Sequence, residues 1–149
     1  FSVIPVPWHC YTMKLTNSFS IISSTSSDPA HPLSNVLNDS EDSFFISTGL
    51  YPQEFILQTT DKEIVKISKI KLLSCNIRVL EISVSSKTQP VNFDKIVDIE
   101  LEDQDRQKMQ VETFNLDALN CRFLKVKVSS GYEDFFSINL IDVEGERVE

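Results

Sequence analysis

The chain has 149 residues, among them ten Phe, three Tyr and one Trp, and its 14 basic and 22 acidic residues leave a net charge of −8. That length suits one domain with a real core, and the acidic balance argues against a surface built for nucleic acid or anionic lipid, both of which need basic patches. No apolar run approaches a membrane span, and Cys10, Cys75 and Cys121, odd in number and widely spaced, argue against a disulfide framework or zinc site and for a reducing compartment.

Phe1 to Thr12 holds Pro5, Pro7, Trp8, His9 and Cys10 without helical or strand periodicity. It is expected to be a leader or upstream remnant, disordered or loosely packed, with one domain running from residue 13 to 149. From Phe19 the chain reads as short strands between polar connectors. Phe19–Ser23, Phe44–Ser47 and Gln53–Gln58 come first, followed by Ile64–Leu73, whose β-branched residues favour a strand over a helix. In Ile77–Val84 the apolar parity switches at Val79-Leu80, which predicts a β-bulge or a strand buried on both faces.

Val97, Ile99 and Leu101 alternate with Asp98, Glu100 and Glu102, as in a half-buried strand. Glu102 to Gln110 is the longest charged connector and reads as a solvated loop. Leu124, Val126 and Val128 alternate with Lys125 and Lys127, and Phe136, Ile138 and Leu140 form a last inward row before Val143 and Gly145. Three glycines are few for a β protein, so Asn, Asp, Ser and Pro must make most turns. Eight or so strands at near-regular spacing predict an all-β fold, an antiparallel β-sandwich of jelly-roll type.

Catalysis finds little support, and the chain reads as a non-enzyme. Its two histidines are His9, in the leader, and His31, followed by Pro32, and neither sits beside a nucleophile motif. The carboxylate pairs Glu41-Asp42 and Asp103/Asp105 read as solvated loop charges, and no Gly-rich phosphate loop exists. The oxygen-rich run Asn35 to Ser43 is different: its amides, carboxylates and hydroxyls can hold a hard cation or fold an Asx-rich turn without metal. An EF-hand is excluded, because reading that loop from Asn38 places Ser43 at the required Gly and Gly49 at the bidentate Glu. Asn38-Asp39-Ser40 matches a glycosylation sequon by spacing alone.

The segments Thr25–Asp28, His31-Pro32, Asn35–Asn38 and Thr48–Ile56 carry a resemblance. Weaker similarity continues through Glu81-Ile82, Ser85–Lys87, Pro90–Phe93, Phe123-Leu124 and Val143–Gly145, so it covers roughly Ser23 to Gly145. The chain resembles discoidin-type (coagulation factor 5/8 C-terminal-like, galactose-binding-like) jelly rolls, and among them the small group found as subunits of the intraflagellar transport B complex.

The resemblance implies a calcium site at Asn35, Asn38, Ser40 and Ser43, with Asn38 standing where the group has Asp, which removes a charge and weakens affinity for calcium. It also implies a partner, a Rab-like small GTPase (intraflagellar transport protein 27), together with other intraflagellar transport B subunits, in the cytoplasm and the cilium or flagellum, without membrane insertion. The alternative within the superfamily is a secreted glycan- or lipid-binding module. Against it stand Phe45, where many such modules carry Trp, and the lack of a terminal Cys pair. Phe123, Phe135 and Ile141, which break the inward alternation, are the candidate docking residues.

Overall fold

The computed structural model describes residues 13–15, 18–24, 45–47, 51–102, 109–133 and 135–147. Ten strands are formed by these residues: β1 (Met13–Lys14), β2 (Phe19–Ser24), β3 (Phe45–Ile46), β4 (Gln53–Thr59), β5 (Val65–Cys75), β6 (Ile77–Ser85), β7 (Asp94–Glu100), β8 (Gln110–Cys121), β9 (Phe123–Gly131) and β10 (Ser137–Arg147). One sheet runs β1-β10-β5-β8, with β3 also on β10, and the other runs β2-β4-β9-β6-β7. Every pairing is antiparallel. This is the expected β-sandwich, and the strand expected over Ile64–Leu73 is β5, which runs Val65–Cys75.

The alternating side chains explain the layering. Val65, Ile67, Ile70 and Leu72 of β5 join Ile138, Ile141 and Val143 of β10 in one central cluster. From the facing sheet come Phe55 and Leu57, Leu124, Val126 and Val128, and Ile77, Leu80, Ile82 and Val84. Period-two alternation sends these rows inward and the lysines between them outward. At one end Phe45, Phe55, Phe136 and Tyr51 pack together, with edge-on ring pairs at 6.5 Å and 6.1 Å and Tyr51 stacked on Phe136 at 5.9 Å. Phe45 is therefore core and not an exposed aromatic platform.

Several sequence expectations are corrected by register. A slip between Ile138 and Leu140 in the β10–β5 ladder reverses the parity of β10, so Ile141 and Val143 point inward and Leu140 lies outside the central cluster. Ile141 and Phe123 are both buried and cannot dock a partner, whereas Phe135 is 47% exposed. Leu101 is buried but lies just past β7, its N–H donating to the Arg78 carbonyl at 2.7 Å. The parity switch at Val79-Leu80 is a true irregularity: the β6–β9 register shifts on both sides of Val79. Among the described non-glycine residues left-handed backbone falls at Lys62, Asn76, Asn92 and Ala118; Ala118 lies within β8, and two of the other three are the expected Asn.

Strand β8 has no counterpart among the strands expected from the sequence. Its twelve residues carry a half-buried row of Phe114, Leu116 and Leu119 that packs on the core. The pattern is broken by a bulge. Ile67 and Ser68 to Lys69 advance two residues while Leu119 to Asn115 advances four, and Ala118 sits there at φ 50°.

On the outer face of the second sheet Glu81 accepts from Lys95 at 2.7 Å and from Ser129 at 2.7 Å, with Lys127 at 4.0 Å. The Lys95 hydrogen bond, then that of Ser129, hold the Glu81 carboxyl below its ordinary value of 4.5. A depressed carboxylate stabilises the fold above the unfolded-state value and loses that contribution as pH falls through the folded one. Melting curves of the parent and of Glu81→Gln should therefore differ at neutral pH and converge on acidification below about pH 4.5. A constant offset across that range would remove Glu81 from the account.

Candidate interaction surface

Cross-strand partners share a face, so the register of the first sheet defines its outer surface row by row. Leu140 pairs with Leu73 and Leu73 with Val111, giving an apolar row at 9%, 5% and 59% exposure. The next rows are Asp142–Lys71–Thr113 and Glu144–Lys69–Asn115. Lys69 reaches Glu144 at 3.5 Å and Lys14 reaches Asp142 at 3.8 Å, so the charges are compensated toward β1. The apolar row instead opens toward β8, where Val111 is the most exposed large hydrophobic residue described.

β8 is also a free edge: among the described strands it pairs only with β5. Edge strands are ordinarily blunted by shortness, charge, bulges or cover. β1 has only two residues, and β2 slips register around the exposed Ile22. β7 carries Lys95, Asp98 and the ion pair from Glu100 to Arg78 at 3.0 Å. In contrast, β8 from Gln110 to Asn115 has neither Lys nor Pro before the bulge begins, and its one charge, Glu112, pairs in register with inward Leu72. A partner surface laid on this half of β8 would cover Val111 and meet backbone groups that no described strand uses.

The start of β8 is fixed by Gln110. Its Oε1 accepts from the Ser74 hydroxyl and the Ile77 N–H, both at 3.1 Å, and its Nε2 donates to the carbonyls of Ile77 at 2.8 Å and Glu102 at 3.0 Å. One side chain thus joins β5, β6, the segment after β7 and β8.

Cys121 is buried, and that burial pushes its thiol up to about 12, so at neutral pH it carries no thiolate. Among the described residues no three His, Cys, Asp or Glu side chains gather as metal ligands, and no helix is long and apolar enough to cross a membrane. The calcium positions Asn35, Asn38, Ser40 and Ser43, and residues 1–12, lie outside the described residues.

The architecture is that of the discoidin and carbohydrate-binding jelly rolls. The family 32 carbohydrate-binding module of Clostridium perfringens NanJ, solved in complex with galactose, superposes with a TM-score of 0.74 at 16% identity, covering 89% of this chain and 98% of that one. That likeness concerns the fold alone. Sequence similarity is more specific: the chain is 30% identical over 132 residues to the Mus musculus intraflagellar transport protein 25 homolog, covering 89% of this chain and 90% of that protein. It is also 30% identical over 126 residues to intraflagellar transport protein 25 of Chlamydomonas reinhardtii, 84% of this chain but only 64% of that longer protein. The chain belongs to the intraflagellar transport protein 25 family. No protein-family model matches it.

Proposed function

We propose that this chain is a non-enzymatic subunit of the intraflagellar transport B complex, pairing with a Rab-like small GTPase (intraflagellar transport protein 27) in the cilium or flagellum. The observation that carries this reading is the 30% identity extending over 90% of the mouse relative, which makes the shared unit nearly the whole of that protein. The surface supports it. An adaptor needs an apolar contact point backed by a rigid scaffold, and Val111, 59% exposed on an edge of β8 that no described strand pairs, offers one.

The glycan-binding reading draws only on fold likeness at 16% identity, and Phe45, the position at issue for an aromatic platform, is buried in the core. Affinity purification from ciliated cells tests the proposal. Co-isolation of intraflagellar transport B subunits is the expected result. Their absence, together with specific sugar binding on a glycan array, would favour the secreted-module class.

Within this reading the chain binds calcium through Asn35, Asn38, Ser40 and Ser43, weakly, since all four are neutral amides or hydroxyls and none is a carboxylate in this sequence. Calcium at a hundredfold excess over its dissociation constant would stabilise the fold by about 2.7 kcal/mol. The melting temperature should rise with calcium and should no longer respond in Asn38→Ala combined with Ser43→Ala. An equal rise in that double variant would place the ion elsewhere.

A further inference from the structure

At the end of the sandwich where β4, β6 and β8 finish, four residues from separate turns and strands line a cavity of about 220 Å³: Gln58, Lys62, Thr88 and Arg122. We propose that this cavity is a binding site for a phosphate group, carried by a small phosphate monoester or by a phosphorylated serine of a partner.

Arg122 holds the site together. It occupies the single-residue link between β8 and β9. Its N–H donates to the Ser85 carbonyl at 2.8 Å, and its own carbonyl accepts from Thr59 at 3.1 Å. The guanidinium spends two of its five N–H groups inside the protein, Nε on the Lys62 carbonyl at 3.0 Å and Nη1 on the Ser86 carbonyl at 2.9 Å. These contacts tie the turn after β4 to the turn after β6 and fix the plane of the group. Three donors remain uncommitted among the described contacts.

The other three lining side chains are uncommitted as well. No described partner takes the Lys62 ammonium, the Thr88 hydroxyl or the Gln58 amide. The Asp61 carboxylate beside Lys62 in the chain is already occupied, because it pairs with Arg147 at 2.6 Å and accepts from the Glu63 N–H at 3.0 Å. Two cationic residues with no ion-pair partner among the described residues therefore line one hollow in a chain of net charge −8. An oxyanion is the chemistry that answers both cations, with a planar fork from Arg122, a point charge from Lys62, and neutral donors from Thr88 and Gln58.

Size and charge narrow the ligand. The cavity is smaller than the roughly 300–1,000 Å³ that encloses drug-sized ligands, which suits one phosphate group and not a whole nucleotide. A membrane surface is disfavoured by the acidic remainder of the chain. The site stands apart from the β8 surface, and it does not depend on the intraflagellar transport reading.

The test is an amide chemical-shift titration of the whole chain at constant ionic strength with three probes: inorganic phosphate, a phosphoserine peptide and, as control, chloride. Saturable shifts confined to residues 58–63, 85–89 and 122 are expected with phosphate, with chloride silent. A tighter response to the peptide would assign a protein partner, and an equal or weaker one a small phosphate monoester. Lys62→Asn removes the ammonium while suiting the left-handed backbone there, at φ 62°, and should weaken binding roughly tenfold, the worth of a charge-assisted hydrogen bond. Thr88→Val should weaken it less. Diffuse or unsaturable shifts, equal shifts with chloride, or unchanged binding in Lys62→Asn would overturn the site.

Discussion

Gln110→Leu should destabilise the chain by roughly 3–5 kcal/mol, although it keeps most of the side-chain volume. The parent amide spends both its atoms on buried or part-buried groups: the Ser74 hydroxyl, the N–H and carbonyl of Ile77, and the Glu102 carbonyl. Ile77 is wholly buried, so its freed backbone groups cannot turn to water without opening the sheet. Each buried group left without a partner costs about 1–3 kcal/mol, and partial relaxation keeps the sum below simple addition. Equilibrium urea unfolding measures it, and a loss under about 1 kcal/mol would mean that the four contacts are not held together as described.

The second large effect is expected from the smallest change. A Cβ added at Gly145 would stand 1.9 Å from the Lys66 carbonyl oxygen and 2.9 Å from the Ile67 Cα, both backbone atoms. The register shift between Glu144 and Gly145 brings β10 that close to β5. Gly→Ala in a strand ordinarily gains a few tenths to 1 kcal/mol by restricting the unfolded chain. Here the clash outweighs that gain, because neither strand can move without breaking its ladder. Gly145→Ala should cost about 3 kcal/mol, at the upper end for overpacking. A neutral or stabilising substitution in the same urea experiment would show that β10 and β5 do not approach there.

These two residues also show where the sequence ceases to be legible. The inward rows of β4, β6 and β9 could be read directly, since Leu124, Val126 and Val128 alternate with lysines and every one is buried. The irregularity at Val79 was visible for the same reason: a break in alternation inside an otherwise strict pattern. β8 escaped notice because Glu112 occupies an inward position and the bulge at Ala118 resets the period, leaving Phe114 and Leu116 as too short a row. Gln110 consequently looked like the end of a loop, when its side chain closes a four-way junction.

Leu140 was misplaced by one slip that no local pattern announces. The docking residues fared unevenly for a related reason, since burial of Phe123 and Ile141 depends on what the other sheet and the turns cover. The phosphate cavity joins positions 58, 62, 88 and 122, which only closure of the turns brings together. The discoidin-type resemblance, by contrast, rested on contiguous strings such as Thr48–Ile56, and those are readable without a fold.

Pairing with a small GTPase is the proposed mode of action. Co-expression with a Rab-like GTPase of the intraflagellar transport protein 27 type, followed by size-exclusion chromatography with light scattering, tests it most directly. A stable partner interface buries at least about 1,200 Å², enough to cover Val111 and the β8 edge beside it, so the two proteins should elute as one species with one-to-one mass at micromolar concentration. Elution as two separate species at that concentration would contradict the account.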